Sequence, residues 1–190
     1  MKLHPPIIAA PLAIVPPVRF AVREVPPRAT RALRREVLRP GARLDEALQD
    51  DEAPGARGFA AFTDDAVPIA CGLVLPAAPP APLRARVGRD LGFRLRGMAT
   101  VPEHRGEGAG TLVLAACMDY VAEAGGGLLW CHARVPARSL YERAGFAVEG
   151  EPFEEPGIGP HLLMWVRVAP ASADRSQSPG RERPGSPGEG

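Results

Sequence analysis

The feature that most constrains the fold is the sequence RGEGAGT at residues 105–111, where glycine alternates with other residues. A strand-like run that ends at Val101 precedes it, and residues 112–124 follow as a helix pattern that is apolar on nearly every side and predicted to be well buried. A turn from strand to helix leaves the first backbone N–H groups of the helix without intrahelical partners. Glycine allows close approach to those groups, and the helix dipole favours an anion there. The segment therefore predicts a phosphate-binding turn or, alternatively, a glycine-rich turn that binds nothing.

Two common phosphate-binding motifs do not fit this turn. It lacks the lysine and the spacing of G-x-x-x-x-G-K-[ST], the loop that binds nucleoside triphosphates. Gly106 and Gly108 are spaced like the start of G-x-G-x-x-G, but Thr111 stands where that motif has its third glycine. A dinucleotide site also belongs to the first βα unit of a doubly wound sheet, whereas this turn lies past the middle of the chain. Neither kind of nucleotide site is expected.

Length, charge and cysteine content limit the function classes. The chain has 190 residues, enough for one domain with a core, and its net charge is +1. That balance argues against binding to nucleic acid or to a membrane surface through broad electrostatics. Cys71, Cys117 and Cys131 lie in apolar segments without metal-ligand or disulfide spacing, so we expect buried free thiols in a reducing compartment. The sequence predicts a single-domain cytoplasmic protein without a metal site.

The two ends differ in composition from the rest of the chain. Prolines interrupt the apolar pieces of residues 1–17, which a secretory signal would need as a continuous helix, and we predict a flexible arm there. Residues 169–190 are rich in Ser, Pro, Gly and Arg and are predicted to be a disordered tail. The predicted domain occupies residues 18–168, and no stretch has the roughly 20 apolar residues of a membrane-spanning helix.

Hydrophobic periodicity gives the order of elements within that domain. Predicted strands lie at 18–23, 57–62, 67–75, 91–101, 128–133, from 146 to 148 onwards, and at 161–168. The first predicted helix lies between Pro26-Pro27 and Pro40-Gly41, and the others lie at 112–124 and 136–144, with loops at 43–55 and 76–82. The order β-α-β-β-β-α-β-α-β-β predicts an α/β (α+β) fold whose mixed central sheet has about six to seven strands flanked by helices.

Two motifs in this order resemble those of the GNAT acetyltransferase superfamily. The turn matches that superfamily's acetyl-CoA loop, [QR]-x-x-G-x-[GA], at Arg105, Gly108 and Gly110. One strand later, residues 137–146 read ARSLYERAGF, which is similar to the superfamily pattern A-x-x-L-Y-E-x-x-G-F. The resemblance covers about residues 18–168 and implies the GNAT fold in a small bacterial single-domain member.

The resemblance implies an N-acetyltransferase that transfers the acetyl group of acetyl-CoA to a primary amine by direct attack in a ternary complex. It implies that the backbone of Met98, Ala99 and Thr100 pairs with the pantetheine arm like an added strand. It also implies that the pyrophosphate is held by the N–H groups of Gly106, Glu107, Gly108, Ala109, Gly110 and Thr111. Arg105 would add a charged contact or, alternatively, remain a solvated loop arginine. Arg134 stands where many members have an asparagine that contacts the cofactor, so that contact is expected to be lost or replaced by a longer, charged one.

Tyr141 matches the superfamily tyrosine that gives a proton or hydrogen bond to the leaving thiolate of CoA. A phenol with a pKa of about 10 is protonated at neutral pH and suits that role, although a core tyrosine packed beside Phe146 is the alternative. The glutamate that many members use as general base has no counterpart here. Other carboxylates or imidazoles are therefore alternative bases: Glu149, Glu151, Glu154, Glu155 and His161. His132, next to Cys131 on a predicted strand, is interpreted as a structural histidine.

Several alternatives stay open on sequence alone. The missing glutamate and Arg134 favour a non-catalytic acyl-CoA-binding GNAT-fold sensor or interaction module, whereas Tyr141 favours an enzyme. The acceptor could be a small amine, an amino acid, an antibiotic or a protein amine, and the acyl chain could be longer than acetyl. Acidic residues in the loops at 40–55 and 150–160 favour a cationic acceptor. Many superfamily members are dimers, so a homodimer is one assembly that the resemblance allows.

Overall fold

A mixed sheet of seven strands forms the centre of the protein. The computed structural model describes residues 20–41, 51–63, 67–87 and 92–171. The strands are β1 Ala21–Val25, β2 Arg57–Phe62, β3 Pro68–Ala77, β4 Gly92–Thr100, β5 Gly127–Arg134, β6 Ala147–Glu155 and β7 Gly159–Val168. They lie in the order β1-β2-β3-β4-β5-β7-β6, and the β4–β5 pair is parallel while the other pairs are antiparallel. The predicted mixed sheet is confirmed.

Four α-helices flank the sheet in the described residues: α1 Arg31–Leu38, α2 Ala81–Val87, α3 Ala109–Glu123 and α4 Arg138–Arg143. The prediction of a loop at 76–82 is wrong at both ends, because β3 extends to Ala77 and α2 begins at Ala81. Pro82 lies in the first turn of α2, where a missing N–H costs no intrahelical hydrogen bond. One of the prolines that suggested a loop, Pro82, therefore occupies the start of a helix, and the order becomes β-α-β-β-α-β-α-β-α-β-β.

The core is divided between the two faces of the sheet. Leu95 of β4 packs in the cluster that contains Val113 and Cys117 of α3, whereas Ala99 of β4 packs with Leu33 of α1 on the opposite face. All three cysteines are buried and free, as predicted, and burial raises the pKa of the Cys71 and Cys131 thiols to about 12. The prediction of a well-buried α3 applies to one face only: Val113, Cys117 and Val121 are buried, whereas Leu112 is 40% exposed. Only one face of α3 lies against the sheet.

The two central strands separate along their length. β4 and β5 pair only at Phe93↔Leu129 and Arg94↔Trp130, near the start of both strands. On the other side of β4 the register with β3 shifts between Cys71 and Leu73, which is the position of a β-bulge. Gly97 lies in this bulge with φ +64°, a left-handed conformation that favours glycine. The bulge bends β4, and the carboxyl-terminal halves of β4 and β5 diverge.

Some predictions concern residues that lie outside the described ranges. These are the arm at 1–17, residues 172–190 of the tail, and residues 43–50 of the loop predicted after α1. Within the described ranges, every helix is too short or too polar to cross a membrane.

Candidate active site

The glycine turn connects β4 to α3 and leaves main-chain donors exposed. Gly106 and Gly108 have φ values of +81° and +95°, and Gly108 is the N-cap of α3. The first bond of the helix runs from the Leu112 N–H to the Gly108 carbonyl oxygen at 3.1 Å, so the N–H groups of residues 109–111 precede it. No side chain of the described residues caps them. Space above the turn is open, because a Cβ on Gly106 or Gly108 would meet no atom within 4 Å.

The other residues of the turn are held by local contacts. The Arg105 Nε donates to the Thr100 carbonyl oxygen at 3.3 Å, and the guanidinium is exposed. The Glu107 Oε2 lies 2.9 Å from the His104 Nδ1. Gly110 sits against β4, since a Cβ there would lie 3.1 Å from the Thr100 Oγ1. The turn can therefore present main-chain N–H groups to an anion without moving its side chains.

A cleft of about 180 Å³ opens where β4 and β5 diverge. Residues from α1, β4, β5, α4 and the β6–β7 turn line it. Of the residues predicted to bind a cofactor, Met98 and Arg134 line the cleft, while Ala99 is buried against α1 and Thr100 lies at the end of β4 beside the glycine turn. β4 thus runs along the cleft and continues directly into the turn.

Tyr141 of α4 lines the cleft from the α3 side of the sheet. Its ring centroid lies 5.5 Å from that of Phe146 in an edge-on arrangement, so the predicted packing beside Phe146 is present. Burial raises the pKa of the Tyr141 hydroxyl well above its ordinary value, and the neighbouring Cys131 and Cys117 raise it further. The hydroxyl therefore stays protonated at neutral pH and can donate a hydrogen bond or a proton.

His132 and Glu155 meet on the opposite face of the sheet. The His132 Nδ1 lies 3.7 Å from the Glu155 Oε2, and both residues line the cleft. Burial lowers the pKa of His132, and Arg94 lowers it further, while Glu155 acts in the opposite direction. A neutral imidazole in this place can accept a proton.

The structure separates the predicted bases into two groups. Glu155 and His161 line the cleft, and the His161 Nδ1–H donates to the Gly159 carbonyl oxygen at 2.8 Å. The other three predicted bases are not among the described residues that line the cleft: Glu149, Glu151 and Glu154. In the described residues no group of three or more His, Cys, Asp and Glu side chains could hold a metal ion.

Sequence reasoning missed the place of His132 in the cleft. Side chains alternate along β5, so Trp130 and His132 share a face, and Cys131 packs in the core on the α3 side. Arg134 belongs to the same series as Trp130 and His132. This alternation was the signal in the sequence that places His132 on the same face of β5 as Arg134, which lines the cleft. A single histidine gives no further sign of which neighbours it will meet.

Arg134 connects β5 to the end of α1. Its Nη2 donates to the Leu38 carbonyl oxygen in the last turn of α1, where a positive charge also complements the helix dipole. One nitrogen of the guanidinium is therefore engaged within the protein. Any contact of Arg134 with a ligand would use the remaining N–H groups.

Comparison with known proteins identifies relatives of this chain. The sequence profile of the Acetyltransferase (GNAT) family matches residues 27–146. The N-acetyltransferase YitI of Bacillus subtilis (strain 168) is 40% identical over 73 residues, which are 38% of this chain and 49% of that protein. The chain therefore matches about half the length of this relative.

Solved structures of other proteins share the fold at low identity. ElaA of Escherichia coli has a TM-score of 0.61 at 17% identity, covering 77% of this chain and 98% of ElaA. FeeM, an N-acyl amino acid synthase from uncultured soil microbes, has a TM-score of 0.63 at 17% identity and covers 79% and 91%. Spermidine N-acetyltransferase from Vibrio cholerae, solved with CoA and spermine, has a TM-score of 0.56 at 18% identity and covers 79% and 96%.

Proposed function

We propose that this protein, which belongs to the GNAT acetyltransferase family, transfers the acetyl group of acetyl-CoA to a primary amine by direct attack in a ternary complex. The observation that carries the proposal is the continuity of β4 with the glycine turn. The middle of β4 borders the cleft that Tyr141 lines, and the carboxyl end of β4 leads into uncapped N–H groups at the start of α3. A ligand with an extended arm and a pyrophosphate fits both parts.

In this proposal the donor is held mainly by the main chain of residues 98–111. Beyond Arg94, β4 pairs with no strand on its β5 side in the described part of the chain, so the backbone of residues 98–100 can accept an added, extended arm. The N–H groups of residues 106–111 would hold the pyrophosphate, with Arg105 as an exposed cation beside it. We place the catalytic domain at residues 18–168.

Tyr141 and His132 would divide the proton transfers between the two faces of the sheet. An amine must be neutral to attack the thioester carbonyl, and the neutral His132 imidazole would accept its proton, with Glu155 stabilising the resulting imidazolium. The Tyr141 hydroxyl, which burial keeps protonated, would donate to the departing sulfur. Because the amine would attack the thioester directly, no covalent intermediate on the protein is needed. The buried thiols of Cys71 and Cys131 are also poor nucleophiles, since burial raises their pKa values.

The fold alone does not determine the acceptor. Among its structural neighbours, FeeM is named for N-acyl amino acids and the Vibrio cholerae protein for spermidine. Acceptor choice must therefore depend on side chains of the cleft that differ between such proteins.

The direct test is to incubate the purified protein with acetyl-CoA and a panel of amines. Release of the CoA thiol and the mass of the acetylated product are measured, and acetyl-CoA binding is titrated separately by calorimetry. An acetylated amine that forms only with the active protein is the expected result. Binding of acetyl-CoA without transfer to any amine would contradict the proposal and would support a binding module instead.

A further inference from the structure

The cleft carries an excess of positive charge on the sheet face opposite α3. Arg94 and Arg96 flank Leu95 on β4, and because Leu95 packs in the core on the α3 side, both guanidinium groups lie on the other face. Arginines of α1 and β5 also line the cleft: Arg34, Arg35, Arg39 and Arg134. Glu155 is the single carboxylate of the lining within the described residues. The acidic residues of the loops favoured a cationic acceptor, whereas the described lining of the cleft is itself positively charged.

The arginines of the cleft differ in the partners that the described residues give them. Arg34 is committed to the buried Asp51, with an Nη2–Oδ1 distance of 2.6 Å. Burial lowers the pKa of Arg96, and the like charges of Arg34 and Arg39 lower it further, while Glu155 acts in the opposite direction. Like charges that lie this close repel one another, and a carboxylate of the protein or a bound anion reduces that repulsion.

Arg94 has a buried nitrogen whose hydrogen bonding the described residues leave incomplete. Its Nε is buried and has no hydrogen-bond acceptor in the described residues, although its guanidinium carbon lies 4.9 Å from the centre of the Trp130 ring. A buried N–H without a partner destabilises the folded protein unless a ligand or water accepts from it. The stacking fixes the plane of the guanidinium and leaves its donors directed along that plane.

The phosphates of the donor do not account for this cluster. The glycine turn that would hold them begins α3, whereas Arg94 and Arg96 project from the opposite face of β4. His132, the proposed acceptor of the amine's proton, lies on the same face as these arginines. The cations therefore surround the place from which the acceptor would approach.

We propose that the acceptor is an amine that also carries an anionic group, a carboxylate or a phosphate, and that Arg94 and Arg96 bind this group. The planar guanidinium can bind either anion through two parallel N–H bonds. The inference rests on the proposed function, because it assigns this face of the cleft to the acceptor. Polyamines and other purely cationic amines would be repelled by the same arginines.

The test compares acceptors that differ by one anionic group. Ornithine is paired with putrescine, tyrosine with tyramine, and phosphoethanolamine with ethanolamine, at saturating acetyl-CoA. We expect kcat/KM to be about 10- to 100-fold higher for the anionic member of at least one pair, the range for a charged hydrogen-bonded contact. The first two pairs test a carboxylate and the third tests a phosphate. Equal or faster reaction of the member without the anion in every reacting pair would overturn the inference.

Variants then assign the effect to the arginines. Arg94→Met and Arg96→Met retain an apolar stem of similar length, and Arg28→Met removes an exposed arginine outside the cleft as the matched control. We expect each cleft variant to raise KM for the preferred acceptor about 10-fold or more, while the dissociation constant of acetyl-CoA stays unchanged. Arg28→Met should change neither quantity. An equal loss of acetyl-CoA affinity would assign the arginines to the donor and overturn the inference.

A binding measurement separates this inference from the proposed function. If acetyl-CoA binds but no amine is acetylated, the proposed function fails. The N-acetylated forms of the same three pairs are then titrated calorimetrically into the protein with CoA present. Selective binding of an anionic member, lost in Arg94→Met, would still support an anion site in the cleft. Equal or absent binding of both members of every pair would overturn it.

Discussion

The glycine turn at residues 105–111 and the arginine face of the cleft both attract anions, but they are built differently. The arginine face consists of the arginines that line the cleft: Arg34, Arg35, Arg39, Arg94, Arg96 and Arg134. The turn uses main-chain N–H groups from one short segment, with glycines in left-handed conformations and open space above them. The arginine face combines side chains from α1, β4 and β5, which meet only because the sheet brings these elements together. One site depends on backbone geometry and the other on the identity of individual side chains.

This difference would give the two proposed substrates different kinds of recognition. Main-chain donors bind any ligand with a suitably placed phosphate, so such a site suits a cosubstrate that is shared within a family. Arg94 and Arg96 are partly buried, and burial lowers their pKa values. A ligand that binds to them must lose water, and only a matching anion offsets that desolvation cost. The comparison predicts that variants of the two regions affect different kinetic constants.

The largest expected effect belongs to Tyr141→Phe in the cleft. Removal of the hydroxyl leaves the ring packing but eliminates the proposed donor to the departing thiolate, so kcat should fall about 10³-fold, within the range for general acid catalysis. The dissociation constant of acetyl-CoA should not change. Steady-state kinetics and calorimetry measure the two quantities, and Tyr120→Phe on α3, outside the cleft, is the matched control. An unchanged kcat would eliminate Tyr141 as the donor.

Gly108→Glu in the turn should weaken acetyl-CoA binding, which Tyr141→Phe should leave unchanged. A side chain at φ +95° is strained, and its carboxylate would lie among the N–H groups proposed to hold the pyrophosphate. We expect the dissociation constant of acetyl-CoA to rise roughly 100-fold. Gly125→Glu adds the same charge and comparable strain at φ +100° beyond the other end of α3. If both variants weakened acetyl-CoA equally, the cause would be a general loss of stability and not the turn.

Much of the fold could be predicted from the sequence because its signals are local. Period-two alternation and glycine turns gave the strands and the boundaries of α3 and α4 to within a few residues. Helix α2 was missed because Pro82 was interpreted as part of a loop, whereas it occupies a first turn that tolerates it. The exposure of Leu112 was missed because apolar content alone does not show whether a helix is covered on one face or on two.

The candidate site divides in the same way. The glycine turn is a continuous segment, so its conformation follows from its own residues. The proximity of Arg34 to Arg96, or of His132 to Glu155, depends on the β4 bulge and on the order of strands in the sheet. Periodicity assigns each of these residues to a face, but it does not determine which elements will lie beside that face.

His132→Gln tests the proton acceptor on the arginine side. The pKa of His132 is lowered from its ordinary value of 6.5, so the imidazole stays neutral to a lower pH than in a free histidine. As pH falls, kcat should therefore decline with a midpoint below that value, and the variant should lose this decline. At neutral pH its kcat should fall about tenfold, because Glu155 can still accept a proton through water. The control His104→Gln, in the turn region, should retain the decline of kcat at low pH. If His132→Gln also retained that decline, the titration would belong to another group.

The smallest effect is expected for Arg105→Gln, which tests whether the turn depends on side chains at all. Arg105 is exposed, and its Nε already donates to the Thr100 carbonyl oxygen. An exposed charge is screened by solvent, so the dissociation constant of acetyl-CoA should rise only about threefold at low salt. The difference from the unmodified protein should disappear as salt is added. A loss of tenfold or more that persists at high salt would make Arg105 a fixed phosphate ligand, and the turn would then recognise its ligand through a side chain as the cleft does.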